Sequence, residues 1–434
     1  MTVAGDAHPY DEQFIAALAA HGLEPRPVGT DPATFDPWFR VDARGFLDAD
    51  PPAEKVAFWR TTLAGNRMTG VYDRAAARPD DPVATIASWI GELSVPGDRV
   101  LPSWAISSVT VAPTHRRRGL ARAMVESELR AAAGAGVAVA MLTASEAPLY
   151  GRYGFAAAAR AATLRIDVKR ATWTGPVPAG RVDFIERGRL RELIGPLHDR
   201  VRPGVPGEVS PARGEWDQLA GSEPGAKDAG RIRCVQYAEA GRVDGLAIYS
   251  VTENEDDFTH SSARVHYLLT ATDAAYAGLW RFFVEMDLIG ELTADLRSVD
   301  EPLLWMISDQ RAVTVTPHDH QYVRILDVPA ALSARAYGAA GLIALDVSDP
   351  LGYAAGRWLM RVSADGRADV GALSGDAPSG AVAVELDATA LAAMYLGGVP
   401  AGTLVCAGRV HTPDPAALTR IFGWHTAPVL TLWY

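Results

Sequence analysis

Residues 105–124 read Ala-Ile-Ser-Ser-Val-Thr-Val-Ala-Pro-Thr-His-Arg-Arg-Arg-Gly-Leu-Ala-Arg-Ala-Met and constrain the fold more than any other stretch of the chain. Ile106, Val109 and Val111 suit a strand, while Leu120, Ala121, Met124 and Val125 fall on one helical face. Pro113 stops the strand, Arg116, Arg117 and Arg118 follow, and Gly119 opens the helix. Backbone N–H groups of residues 116–121 then converge at a helix N-terminus, which makes an anion site. Glycine lets the backbone approach closely, and guanidiniums add charge-assisted bonds to phosphate oxygens. A solvated basic turn would explain neither the strand before it nor the helix after it. The basic run also stands against an acidic background, since Lys plus Arg is 41, Asp plus Glu is 52, and 41 − 52 = −11. Such a balance suits one bound anion and cationic small molecules, and argues against general nucleic-acid binding.

The spacing Arg116-x-x-Gly119-x-Ala121, directly after a Val-x-Val strand and a proline, resembles the acetyl-CoA pyrophosphate loop of the GNAT N-acetyltransferases. The fuller string Val-Ala-Pro-Thr-His-Arg-Arg-Arg-Gly-Leu is followed at residues 144–155 by Ala-Ser-Glu-x-x-x-Tyr-Gly-Arg-Tyr-Gly-Phe. Together they resemble one branch, the Eis (enhanced intracellular survival) family of aminoglycoside acetyltransferases. The resemblance is strong over 105–155 and one of layout elsewhere. It implies acetyl-CoA as cosubstrate without a metal, and an amine acceptor of aminoglycoside-like or other polycationic kind, or a lysine side chain. It further implies a homo-oligomer, a hexamer in that family, with neither nucleic acid nor membrane as partner. The alternative from another class is a non-catalytic acyl-CoA or lipid-binding sensor.

A chain of 434 residues exceeds one ordinary core. After a tail, helices are expected over 11–21, 38–47 and 54–63. Strands follow at 68–72, 84–93 and 105–111, then the Gly119 helix, a buried strand at 137–143 and a strand pair over 161–168. Past a Gly-Pro linker at 175–180 come a hairpin (234–238 and 243–251), a strand at 265–269 and a helix capped by Asp273. In this second unit Leu269-Thr-Ala-Thr-Asp273 stands where the arginine-glycine loop would be. A third unit has strands at 322–326, 341–347, 358–362 and 381–386, helices starting at Asp327 and Asp387, and a final apolar strand at 428–434. The expected fold is α+β, with two GNAT-like domains, the second degenerate, followed by a sterol-carrier-protein-like α/β domain. The boundaries are 1–174, 175–314 and 315–434.

With Cys234 and Cys406 the only cysteines, neither a disulfide framework nor a metal centre is expected. The N-terminus lacks the basic and apolar regions of a secretory signal, and no window approaches roughly 18 apolar residues. The cytoplasm is the expected compartment, with non-classical export left open.

Site roles follow from the resemblance. The backbone of Val109 and Val111 would pair with pantetheine amides, with the Val111 N–H a candidate polariser of the thioester carbonyl; both side chains serve equally as core. Arg116 and Arg117 would hold phosphates over the cradle of Gly119, Leu120, Ala121 and Arg122, and Ser145 would bond the cofactor. Tyr150 is the expected general acid, since a phenol with a reference pKa of about 10 is protonated at neutral pH; Tyr153 reads as structural. The base would be the α-carboxylate of the last residue, Tyr434, directly or through water, with desolvation raising it from about 3.5. The family usually ends in phenylalanine, so the Tyr434 hydroxyl needs a partner, and Trp433 stands where an acidic residue would help hold a polyamine. For the acceptor pocket, Phe-Trp-Arg at 58–60 nominates Trp59, which suits a core equally well, with Phe46 and Asp48 at looser spacing.

Overall fold

Two sheets carry the chain in the computed structural model, which describes residues 10–227 and 229–434. The expected tail lies outside the described residues. The first unit runs α1 (Glu12–Ala19), β1 (Leu23–Pro27), α2 (Pro32–Gly45), α3 (Ala53–Thr62), β2 (Arg67–Asp73), β3 (Ala84–Val95) and β4 (Arg99–Val111). It continues with α4 (Leu120–Gly134), β5 (Val139–Thr143), α5 (Ala147–Tyr150) and β6 (Ala156–Asp167). Asp11 and Asp31 cap α1 and α2 by accepting the N–H groups of Phe14 and Thr34. With Asp31 as cap and Pro32 in the first turn, α2 starts well before residue 38. Where a strand pair is expected over 161–168 there is one strand, β6; its alanine-rich stretch 156–162 lies against helix and strand neighbours from the third and second units.

The second unit comprises β7 (Arg181–Ile185), α6 (Arg187–Val201), α7 (Glu215–Leu219), β8 (Ile232–Glu239), β9 (Arg242–Thr252), β10 (Ser261–Thr270), α8 (Asp273–Val284), β11 (Ile289–Arg297) and β12 (Val313–Ile325). The β8–β9 hairpin turns through Ala240 and Gly241, both at positive φ (49° and 80°). Thr272, not Asp273, caps α8: its hydroxyl accepts the Ala275 N–H at 3.1 Å, and Asp273 is the acid of the first turn. Both units join in a 12-stranded sheet, ordered β1-β2-β3-β4-β5-β12-β6-β11-β10-β9-β8-β7. In it β12 lies between β5 and β6, antiparallel to both, so the strand expected at 322–326 is the end of a longer one that belongs to this sheet. The boundary drawn at residue 315 falls inside β12.

The third unit holds α9 (Val328–Ala334), β13 (Gly341–Ser348), β14 (Gly356–Val362), β15 (Ala368–Ala372), β16 (Val382–Asp387), α10 (Ala388–Met394), α11 (Ala401–Cys406), β17 (Val410–His411) and α12 (Pro415–Phe422). Its sheet is ordered β15-β14-β13-β16-β17. A fully buried ion pair, Arg324 to Asp349 at 2.6 Å, ties β12 to this unit. Arg335 is fully buried too, yet among the described residues its guanidinium faces no carboxylate: it donates to the carbonyls of Ala336, Met394, Tyr395 and Phe422, the last three at the ends of α10 and α12. The negative ends of two helix dipoles thus take the place of a counter-ion. Arg335→Leu removes this donor from the Ala336, Tyr395 and Phe422 carbonyls, while Met394 O keeps the Gly397 N–H, and is expected to cost on the order of 3 kcal/mol, seen as a lowered melting transition in calorimetry; an unchanged transition would refute this account.

The last residues do not form the expected final strand. They are extended and well packed, with Leu430 and Leu432 buried, but enter no ladder, because their polar groups are taken one by one from different elements. Val429 N–H donates to Pro206 O (2.9 Å), Thr431 N–H to Glu208 Oε1 (2.9 Å), and the Leu432 carbonyl meets His320 Nε2 (2.8 Å). Among the described residues no helix is long and apolar enough to cross a membrane.

Candidate active site

β4 and β5 are parallel neighbours that pair only at Trp104 with Ala140 and Ala105 with Met141; beyond this they diverge and leave a wedge. On the β4 side a bulge at Ser108 (φ 56°) bends the strand, and the Ser108 carbonyl accepts the Thr85 hydroxyl at 2.8 Å. Ala112 N–H donates to Val83 O at 2.8 Å, toward β3. Strand alternation then turns the main-chain groups of Val109 and Val111 the other way, into the wedge. Their edge is free to pair with an extended amide chain.

At the wedge mouth Arg117 (φ 62°) and Gly119 (φ 77°) both take left-handed conformations, which fold the loop onto the start of α4. Nothing lies within 4 Å of a Cβ at Gly119, so conformation rather than space calls for glycine there. Arg116 and Arg117 are exposed, Leu120 is buried as an anchor, and Ala121 is half-buried. Arg122 points along the helix to Glu126 at 2.7 Å, and Ser145 is exposed in the bend after β5. His115 turns away, its Nε2 3.0 Å from Asp73 and its Nδ1 2.8 Å from Thr114. Convergent N–H groups, exposed guanidiniums and open space suit a pyrophosphate.

Tyr150 ends α5 with its ring against Phe155 (6.1 Å) and Tyr322 (6.4 Å). Burial, with Tyr153 and Glu146 nearby, pushes its pKa up to about 12, so the phenol keeps its proton at neutral pH. Tyr153 is buried in the same cluster. Tyr434 lies against the neighbouring residue of β12: its phenol donates to Gln321 Oε1 at 2.9 Å, which provides the partner the extra hydroxyl needs. A terminal carboxylate oxygen of Tyr434 accepts the Thr143 hydroxyl at 2.8 Å, at the end of β5. Successive residues of a strand face opposite ways, so Tyr322 with Tyr150 and Gln321 with Tyr434 sit on opposite faces of the sheet at the open side of the wedge.

The Tyr434 face opens into a cavity of about 480 Å³. Trp59, Phe46 and Asp48 line it, as do Ser107 and Ser108 of β4. Trp59 is half-buried, and Phe46 (46% exposed) forms part of the rim. Trp89, whose edge meets the Tyr434 ring at 5.9 Å, and Trp433 are further lining residues. Sequence reasoning missed Trp89, Asp42, Asp50 and a whole segment of the second unit that brings Glu215 and Glu223. Glu223 Oε2 accepts the Trp59 indole N–H at 2.9 Å, and its other oxygen pairs with Lys55 at 2.7 Å. Arg213 donates to the Ala64 carbonyl. Asp50 pairs with Arg40 at 2.6 Å, whereas Asp42, Asp48 and Glu215 face the cavity, which Lys227 also lines, with no ion pair among the described residues. Burial pushes the Asp42 carboxyl up to about 7 and the Glu215 carboxyl up to about 8, with Asp48 and Glu208 respectively adding to the effect.

A wedge-split sheet with a basic loop at a helix N-terminus, repeated without the loop, defines the class: residues 27–158 and 207–325 each match an acetyltransferase (GNAT) domain family, and residues 328–431 match the sterol carrier protein domain family. The protein is a GNAT N-acetyltransferase, and this fold implies acetyl-CoA as cosubstrate. The chain is 33% identical over 403 residues to N-acetyltransferase Eis of Mycobacterium bovis, covering 89% of this chain and 94% of that one. It is 35% identical over 412 residues to an uncharacterized N-acetyltransferase of Streptomyces avermitilis, covering 91% and 94%. The crystal structure of Eis1 from Mycobacterium abscessus superposes with a TM-score of 0.78 at 26% identity, over 95% of this chain and all of that one. The chain belongs to the Eis family.

Proposed function

We propose that this enzyme acetylates amines of polycationic small molecules, aminoglycoside-like compounds among them, or exposed lysine side chains, with the Tyr434 carboxylate as base and Tyr150 as acid. The observation that carries the reading is the Tyr434 carboxylate, held by Thr143 at the wedge and facing an acid-lined cavity. Acetyl-CoA supplies an activated thioester carbonyl. Arg116, Arg117 and the N–H groups of the Gly119 turn hold its pyrophosphate, and the Val109 and Val111 backbone aligns its amide chain. The carboxylate of Tyr434 takes a proton from the attacking amine, and Tyr150 Oη gives one to the departing sulfur. Asp48 attracts cationic acceptors, joined by Asp42 above about 7 and Glu215 above about 8, where burial lets them ionise. The same reading extends, by the family resemblance, to a homo-hexamer in the cytoplasm; Trp305 (81% exposed) and Phe184 (68% exposed) on the second unit offer apolar surface for assembly, and light scattering reads the mass directly. The acceptor class is tested by mass spectrometry of aminoglycosides, spermine and a lysine peptide incubated with enzyme and acetyl-CoA. More than one acetyl per polyamine is expected, whereas acetylation of none of these acceptors would contradict the reading.

Asp42 gives this reading a pH dependence. Its folded-state value, about 7, lies above the ordinary 3.8, so between these values the folded protein holds a proton that the unfolded chain has released. Stability therefore falls as pH rises through that window, and Asp42→Asn abolishes this part of the fall. Above about 7 the carboxylate is ionised, so KM for a charged polyamine drops as pH rises through that value in the wild type and not in Asp42→Asn. Identical pH profiles of melting temperature and KM in the two proteins would contradict this assignment.

A further inference from the structure

The C-terminal tail reaches the cavity along a platform on the second unit. Residues 206–210 are stitched to the end of β3: Ser94 N–H donates to Glu208 O (2.7 Å), Gly207 N–H to Ser94 O (2.9 Å), and Ser210 N–H to Glu92 O (2.9 Å). A Cβ at Gly207 would meet the Val429 carbonyl at 3.0 Å, so glycine there lets the tail lie directly on the platform. Two main-chain donors of the tail bond to it, Val429 to the Pro206 carbonyl and Thr431 to the Glu208 side chain.

The second bond is unusual in its surroundings. Glu208 is 4% exposed, and among the described residues its Oε2 has no hydrogen-bond partner while Oε1 takes the Thr431 N–H. His198, 1% exposed, faces it with Nε2 at 3.6 Å, beyond hydrogen-bond reach, and neither ring nitrogen has a hydrogen-bond partner among the described residues. The buried Glu215 carboxyl, the Tyr267 phenol and His320 are the other titratable groups whose charges act on this cluster. A fold that needed this pocket only for stability would fill it with apolar groups, since buried polar atoms without partners cost free energy. Among the described residues the carboxylate that is retained has one hydrogen-bond partner, a backbone N–H of the tail, three residues from the chain end.

We infer that Glu208 is a positioning residue that latches the C-terminal tail through the Thr431 N–H and so fixes where the Tyr434 carboxylate stands in the acceptor cavity. The consequence for catalysis rests on the assignment of that carboxylate as base; the latch itself does not. A hydrogen bond to a charged group fixes the tail, and losing it raises the population of released tail by about tenfold or more. His320, Thr143 and Gln321 then hold only the last residues, and the carboxylate is no longer aligned.

The test uses the full chain and carboxypeptidase A, which removes an aromatic terminal residue only from a released tail. In Glu208→Ala, tyrosine is expected to be freed about tenfold faster than in wild type, with acetylation kcat lowered by a similar factor and KM for acetyl-CoA unchanged. Glu208→Gln keeps an oxygen acceptor for the N–H and is expected to restore both readouts toward wild type. Should Glu208→Ala fail to fold, Thr431→Pro removes the donor instead and should free tyrosine faster in the same way. Tyrosine release at the wild-type rate in a folded Glu208→Ala or Thr431→Pro protein overturns the latch. Faster release with unchanged kcat upholds the latch and overturns Tyr434 as base.

Discussion

Deletion of Tyr434, or extension of the chain beyond it, is expected to lower the acetylation rate by about a hundredfold or more, the range that loss of a positioned general base produces. Acetyl-CoA affinity should stay within about twofold, because the cradle at Arg116 to Gly119 belongs to another part of the site and does not use the tail. The geometry behind this is specific. The terminal carboxylate accepts from Thr143, the phenol donates to Gln321, and the ring meets Trp89, so three elements of the sheet hold one residue. Extension keeps the aromatic ring but replaces the carboxylate by a peptide carbonyl, which accepts a hydrogen bond and cannot take up a proton at neutral pH. Extension and deletion failing alike therefore points to the carboxylate rather than to the aromatic plug. Steady-state kinetics on protein with a native C-terminus, beside both variants, reads the difference; an unimpaired variant would rule out the carboxylate as base.

Tyr150→Phe is expected to lower kcat by about a hundredfold while leaving acetyl-CoA binding unchanged, since it removes one proton donor and retains the ring. The ring packs on Phe155 and Tyr322, and Phe keeps those contacts, so stability should change little. Burial pushes the phenol up to about 12, which leaves it protonated across the physiological range. The alkaline limb of the wild-type rate profile should thus lie well above neutrality. Tyr153→Phe serves as control, with wild-type turnover expected. Equal turnover in Tyr150→Phe and wild type would show that the departing thiolate draws its proton from elsewhere, with solvent the first alternative.

The parts of this site that follow local chemistry were legible in the residues. A strand, a proline, arginines and a glycine before an apolar helical face sufficed to place the loop at Arg116 to Gly119, and caps such as Asp11, Asp327 and Asp387 are read from one residue and its neighbours. Either Thr272 or Asp273 can cap α8 by its side chain, and only the backbone angle decides for Thr272. The insertion of β12 between β5 and β6 was illegible, since hydrophobic alternation marks a strand and says nothing of its partners. The cavity illustrates the same limit. Trp59 meets Glu223 across 164 residues of sequence, and no local pattern tells an acid that faces a shared cavity from one that faces water. In sequence Trp89 is one more apolar residue of a strand, and only the tail packed against it gives it a place in the site. The apolar, uncharged tail predicts a final strand, but its lack of a strand partner depends on Pro206, Glu208 and His320 arriving from other parts of the fold.

The most direct test of the central claim is CoA thiol release from acetyl-CoA in the presence of a polyamine or aminoglycoside, run side by side with the variant lacking Tyr434 and with direct measurement of acetyl-CoA binding. The account predicts turnover by the native chain, loss of most of it in the variant, and equal acetyl-CoA affinity in both. Equal turnover in both proteins would contradict the role of the terminal carboxylate, and failure of the native chain to bind acetyl-CoA would contradict the reading of the Arg116 to Ala121 loop on which everything else rests.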